Sequence, residues 1–295
     1  MTSSTAACAQ AAKVKSENAG EFRSQFPHTS SVPHFSNPMS SGSVVSRSCQ
    51  PNESWTAHLA RLAECGRRFP GPEYREILRW IHETLQPSSY VEIGVFEGGS
   101  LSLALPATQS IGIDPNPQIN RRLSPKTQLF RLTSNEFFAQ CDLRTLVVGS
   151  HFSLAFIDGL HLFEQALMDF INLERWSGSG SIVLVHDSMP LDAETSGRKQ
   201  KTMFHTGDVW KLLLCLRHYR TDLRIRTVRT APSGLSIIGN LDSRSRVLPT
   251  QLDSILRRFR RLSFEYYEKH RHEFLKEIGN TRAEVTAALT RLVGR

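Results

Sequence analysis

Several things are missing from this 295-residue chain, and each absence excludes something. No apolar run approaches the roughly 18 residues that span a bilayer, so no membrane span is expected. The N-terminus has no apolar core segment of the secretory kind, which points to a cytoplasmic protein. The five cysteines (Cys8, Cys49, Cys65, Cys141 and Cys215) are scattered, odd in number and without a CxxC pair. Reduced thiols are expected, and neither a zinc site nor a disulfide framework is suggested. No internal repeat of fixed period is visible. Acidic residues are scarce in residues 1–52, which are Ser-rich and lack apolar periodicity, so they read as a disordered leader. The same composition weakly resembles an organelle transit peptide, although Arg is sparse.

Charge is unevenly distributed. The net +8 is concentrated in residues 244–295, which hold twelve Arg/Lys against six Asp/Glu. This basic extension reads as a solvated helix face, or as a surface for an acidic partner. Its apolar positions Leu252, Ile255, Leu256, Phe259 and Leu262 form a stripe that packs on the domain or makes a homodimer contact.

From Trp55 onward the pattern becomes periodic. Leu59, Leu62 and Ala63, then Ile77, Leu78, Ile81 and Leu85, predict two helices separated by Pro70-Gly71-Pro72. Apolar strands then alternate with helices. The strands are Tyr90–Gly94, Ser110–Asp114, Gln128–Leu132, Phe152–Asp158 and Ser181–His186, followed by Leu223–Val228 and Leu235–Leu241 across a short turn. Such alternation means a parallel sheet covered on both faces, with the last strand antiparallel because its connection is too short for a crossover. The expected organisation is a leader (1–52), N-terminal helices (53–88), an α/β domain (89–243) and a basic helical extension (244–295).

In such a sheet, ligands bind beyond the carboxyl ends of the strands. The first strand ends in Glu92-Ile-Gly94-Val-Phe96-Glu97-Gly98. A dinucleotide loop would carry a second glycine two residues after Gly94, to admit a diphosphate, and Phe96 stands there instead. An NAD-linked enzyme is therefore disfavoured. An acid ahead of the first glycine suits a ligand with an ammonium group and no phosphate. Asp114 ends the second strand at the spacing of a ribose-binding acid, and it could equally be a helix N-cap before Pro115. Thr133-Ser134-Asn135 offers adenine contacts or a helix cap. The fourth and fifth strands end in Asp158-Gly-Leu-His161 and His186-Asp187. Neighbouring strands lie about 4.8 Å apart, so these groups should converge. Two acids and an imidazole can hold a divalent cation that acidifies a hydroxyl, or His161 can take the proton directly. Residues 191–206, polar and directly after the fifth strand, are placed as a substrate lid.

With these motifs in place, residues 90–242 resemble the class I S-adenosylmethionine-dependent methyltransferases. They are most similar to the small-molecule O-methyltransferase group with Asp-Gly-x-His and His-Asp elements. The resemblance implies a Rossmann-like, seven-stranded sheet, mostly parallel, with helices on both faces. It implies S-adenosylmethionine held by Glu92, Gly94, Gly98, Asp114, Ser134 and Asp158. It also implies O-methylation of a sugar, phenol or natural-product hydroxyl by Asp158, His161 and His186. Relatives of catechol type bind Mg²⁺ through acids at these strand ends, which carries Mg²⁺ or another divalent cation onto Asp158 and Asp187. The sequence departs from that pattern by carrying His186 before Asp187. Two other readings stay open: a catalytically degenerate binding module, and a nucleic-acid methyltransferase using the basic tail. The second lacks the Asp/Asn-Pro-Pro-aromatic segment that a flipped base would call for.

Overall fold

The structure, a computed structural model, describes residues 53–293, and the leader 1–52 lies outside the described residues. Eight strands form one sheet: β1 (Ser89–Ile93), β2 (Gln109–Ile113), β3 (Thr127–Phe130), β4 (Phe152–Ile157), β5 (Ser177–His186), β6 (Arg224–Val228), β7 (Leu235–Gly239) and β8 (Glu277–Ile278). Their order is 3-2-1-4-5-7-6-8. Strands β1 to β5 run parallel, and β7 alone is reversed, pairing antiparallel with both β5 and β6.

The continuous apolar runs are explained by burial on both faces. In β4, Leu154 and Phe156 face one core while Ala155 and Ile157 face the other. Helix α1 (Trp55–Arg68) precedes both cores, and Phe69 at its end is buried in the second. The first core is closed by α2 (Tyr74–Leu85), through Ile77, Leu78 and Ile81. The second is covered by α3 (Ser134–Gln140), α4 (Phe163–Arg175), α5 (Trp210–Tyr219), α6 (Leu252–Phe259) and α7 (Phe264–Phe274). The last helix, α8 (Arg282–Val293), returns to the first core beside α2.

The seven expected strands are present, and the eighth is a correction. Residues 277–278, inside the extension expected to be helical, instead pair with Thr227 and Val228 of β6. Two residues carry no alternation that a sequence pattern could reveal. The stripe of α6 packs on the domain, with Ile255 and Phe259 buried and Leu252, Leu256 and Leu262 against the same core. Between β1 and β2 the expected helix is only a single tight turn, Leu101–Leu103. Cys65 and Cys215 are free, buried thiols, whereas Cys141 is disulfide-bonded, so the expectation of reduced thiols does not hold throughout. Among the described residues no helix is long and apolar enough to cross a membrane.

One core group titrates. His82 on α2 is fully buried edge-on against the Tyr90 ring, 4.6 Å between centroids, and neither ring nitrogen has a hydrogen-bond partner. Burial pushes its pKa down to about 4. Below the ordinary value near 6.5 the unfolded chain therefore takes a proton that the folded chain refuses, and stability falls as the pH drops from there to about 4. The effect reaches roughly 3 kcal/mol. Denaturant unfolding of wild type and His82→Leu at pH 7 and pH 4.5 should show the variant losing less stability on acidification. Parallel losses would mean that His82 is not held neutral.

Candidate active site at the carboxyl edge of the sheet

The strand ends are level. Ile93 of β1 lies in register with Ile113 of β2 and Ile157 of β4, and Ile157 with Val185 of β5. One residue further, Gly94, Asp114, Asp158 and His186 therefore stand side by side along one edge. They border a cleft of about 1300 Å³ that also takes in His161, Asp187 and Asp169.

Around the loop after β1 the acids have divided tasks. Both the Val95 and Phe96 amides donate to Asp114 Oδ2 at 2.9 Å, and the Asn116 amide donates to Oδ1 at 2.7 Å. Three of about four acceptor positions are thus used by backbone, leaving one toward the cleft that Asp114 lines. The two amides that a phosphate-binding loop would turn to its ligand are already engaged. Glu92 sits beneath the loop, fully buried, accepting from Tyr90 Oη at 2.6 Å and Ser100 Oγ at 2.7 Å. Burial pushes its pKa up to about 8, so it is chiefly protonated at neutral pH. Its side chain is absent from the cleft wall, as is Gly98. Gly94, at φ +86°, presses against the end of β4, where a Cβ would overlap the Asp158 carbonyl. Ser134 lines the cleft while its hydroxyl donates to Asp169 Oδ1 at 2.6 Å. Asp169 carries no signal in the sequence. It lies inside α4 on an amphipathic face, and burial raises its pKa to about 6.

At the ends of β4 and β5, four ionisable groups meet. His161 Nε2 is 3.0 Å from Asp187 Oδ2 and 3.5 Å from Asp158 Oδ1. His186 Nδ1 is 3.2 Å from Asp158 Oδ1 and 3.4 Å from Asp187 Oδ1. Ser233, on the turn before β7, donates to Asp187 Oδ1 at 2.6 Å and faces His186 Nε2 at 3.3 Å. Its one proton being committed, Ser233 accepts from His186, so both nitrogens of His186 donate. Tyr74 covers the His186 ring, 4.1 Å between centroids. His161 Nδ1 donates to the His205 carbonyl at 2.7 Å, which aims Nε2 at the two acids. Burial works against the charge on each imidazole, yet the facing carboxylates prevail and raise His161 to about 9 and His186 to about 10. The same imidazoles hold Asp158 well below the usual carboxylate range despite its burial.

Backbone strain aims two of these side chains. Successive residues of an extended strand point to opposite faces, so His186 and Asp187 would normally diverge. Asp187 has φ +57° and His161 φ +33°, left-handed conformations rare for such residues and frequent at functional sites. One oxygen each from Asp158 and Asp187 and Nε2 of His161 lie within 4.8 Å of one another. Two carboxylates and an imidazole whose other nitrogen is fixed by a carbonyl fit a divalent cation. His161 thereby joins the two acids that the resemblance implies as ligands.

Residues 191–206 form an irregular strap beside this cluster, and Gln200, Met203 and His205 line the cleft. Arg61 of α1 clamps its first half through Asp192 at 2.7 Å and Glu194, and Glu53 joins Arg61 to the Met203 amide. Gly207 passes so close to the His161 carbonyl that a Cβ would overlap it. Asp208 is buried and structural: it caps α4 by accepting from the Phe163 amide at 2.7 Å, and it pairs with Arg198 at 2.7 Å and with buried Lys211 at 2.9 Å. Asp208→Ala strands that lysine and uncaps α4. It should cost about 3–5 kcal/mol by denaturant unfolding, and a loss below about 1 kcal/mol would show that the network carries little.

Residues 91–188 match a family model described as a methyltransferase domain. No curated protein matches the chain. Among solved structures, the chain is similar to the O-methyltransferase TomG from Streptomyces achromogenes, involved in tomaymycin synthesis and solved with S-adenosylmethionine. That match has 15% identity, 65% of this chain, 92% of that chain and a TM-score of 0.44. It is also similar to an O-methyltransferase from Bacillus cereus solved with S-adenosylhomocysteine, at 12% identity, 63% of this chain, 91% of that chain and a TM-score of 0.44. The match to the methyltransferase-domain model runs from β1 to the end of β5 and contains the glycine turn, Asp114 and both Asp-His elements.

Proposed function

We propose that this chain methylates a small-molecule hydroxyl with S-adenosylmethionine, at the cluster of Asp158, His161, His186 and Asp187. The observation that carries the reading is the convergence of these four groups inside the cleft, beside a glycine turn whose amides are closed to phosphate. The cofactor, when bound, supplies an electrophilic methyl group on a sulfonium. Asp114 has one acceptor position left for a ribose hydroxyl. Ser134 and the buried Asp169 border the same cleft on the side of α3 and α4.

An unassisted alcohol is too weak an acid to give up its proton at neutral pH. Held as it is between two carboxylates, His161 keeps its proton more firmly than a free imidazole, and a cation that displaces this proton leaves Nε2 free as a ligand. Asp158, Asp187 and His161 Nε2 would hold a divalent cation, Mg²⁺ or a softer ion such as Mn²⁺, whose charge stabilises the developing oxyanion. His186, Ser233 and Tyr74 keep the two carboxylates in place. Fixing the acceptor oxygen for in-line attack adds to the rate through orientation. The strap 191–206 borders the cleft on the acceptor side and limits the entry of water.

Calorimetry should show S-adenosylhomocysteine binding and no NAD binding, and the reverse result ends this reading. With a phenolic or sugar acceptor identified from a panel, EDTA should abolish turnover and added Mg²⁺ or Mn²⁺ restore it. Asp187→Asn should weaken cation binding more than S-adenosylhomocysteine binding. If turnover survives chelation while His161→Ala lowers the rate by roughly 10²–10⁴-fold, the imidazole is the base and the cation assignment is wrong.

A further inference from the structure

We infer that Arg75 recognises the α-carboxylate at the methionine end of the cofactor, an inference that rests on the S-adenosylmethionine reading above. Arg75 lies in the first turn of α2, and its guanidinium lies directly over the backbone of Gly99 at the close of the glycine turn. Its Nε is 3.3 Å, and its Nη2 3.7 Å, from where a Gly99 Cβ would stand. Any side chain at position 99 would crowd the guanidinium from this place. On its other side, Arg75 stacks on the Tyr74 ring at 5.0 Å, and Tyr74 in turn covers His186. The cation is thus held between the two halves of the site, over the glycine turn and beside the ring that covers His186.

Its lack of a partner is informative in this setting. Arg61, Arg198 and Arg220 each engage at least two carboxylates. Among the described residues no carboxylate pairs with Arg75, although the cleft it lines is rich in acids, Asp114, Asp158 and Asp187 among them. Arg79 and Arg121 line the same cleft, and of the three arginines it is Arg75 that lies over Gly99. The adenosine end of the ligand is neutral, so only the amino-acid end needs such a group. A guanidinium offers two parallel donors that match a carboxylate, and a charged hydrogen bond of this kind is stronger than a neutral one.

The test compares two ligands that differ at that end. S-adenosylhomocysteine carries the carboxylate, and 5′-methylthioadenosine has the same nucleoside without the amino acid. By calorimetry on the full chain, Arg75→Gln should bind S-adenosylhomocysteine roughly 10- to 100-fold more weakly, with 5′-methylthioadenosine unchanged. Arg75→Lys, which keeps the charge and loses the fork, should fall between. An unaltered affinity for S-adenosylhomocysteine overturns the assignment, and so does an equal loss for both ligands, which would mark a structural role. If wild type binds 5′-methylthioadenosine and gains nothing from the amino-acid end, the assignment fails while the cofactor reading stands. If wild type binds neither, the cofactor reading itself fails.

Discussion

Level strand ends are the constraint on which the site depends. Four parallel strands finish in register at Ile93, Ile113, Ile157 and Val185, so the chain leaves the sheet four times along one line. Parallel pairing requires crossovers, and the crossovers place helices on both faces. What remains open is the edge, and there, one residue beyond those four, stand Gly94, Asp114, Asp158 and His186, the last residue of β5. A register slip of one residue between β4 and β5 would turn His186 to the opposite face and separate it from Asp158.

Two acids keep the glycine turn in shape from opposite sides. Asp114 stands in front of the loop and takes up the Val95 and Phe96 amides. Glu92 acts as a buried neutral acid behind it, accepting from Tyr90 and Ser100. Phe96 is held in a left-handed conformation and exposed at the cleft mouth. A loop fixed in this way has no free amide cluster for a phosphate, and its recognition of ligand falls to side chains. The cations and acids around the cleft therefore matter more here than the backbone does.

The architecture was largely legible because periodicity reports burial. Apolar runs of the length of β4 and β5 read as strands, and the short Ala231–Gly234 turn read as an antiparallel return, as the β6–β7 pairing has it. The acids and histidines at the strand ends were legible because register brings them together whatever the side-chain details. Other features were not. Asp169 is one acid in an amphipathic helix, and only the packing of α3 on α4 shows that it faces Ser134. Ser233 and Tyr74 reach the cluster from segments 46 and 112 residues away from Asp187 and His186, respectively. The strap is tied by Arg61 to acids more than a hundred residues on. Such contacts depend on tertiary geometry, and no local pattern encodes them. Glu92 shows the complement: its position before the glycine suggests a ligand contact, while its side chain lies buried beneath the loop, bonded to Tyr90 and Ser100.

The four-group cluster behaves as one unit, which governs how any substitution there must be interpreted. Burial penalises each charge separately, and the arrangement is tolerated because two carboxylates face two imidazolium ions. Replacing Asp158 removes an acceptor shared by both histidines, and leaves them with the single carboxylate of Asp187. The histidines then lose part of the attraction that holds their protons, and Ser233 loses the charged donor that opposes it. A change in rate in such a variant mixes altered protonation with any lost ligand. Groups in one network couple by about 0.5–3 kcal/mol, so single deletions cannot be summed. A pair such as Asp158 with His186, altered together to keep the charge balanced, separates what the site needs for folding from what it needs for chemistry.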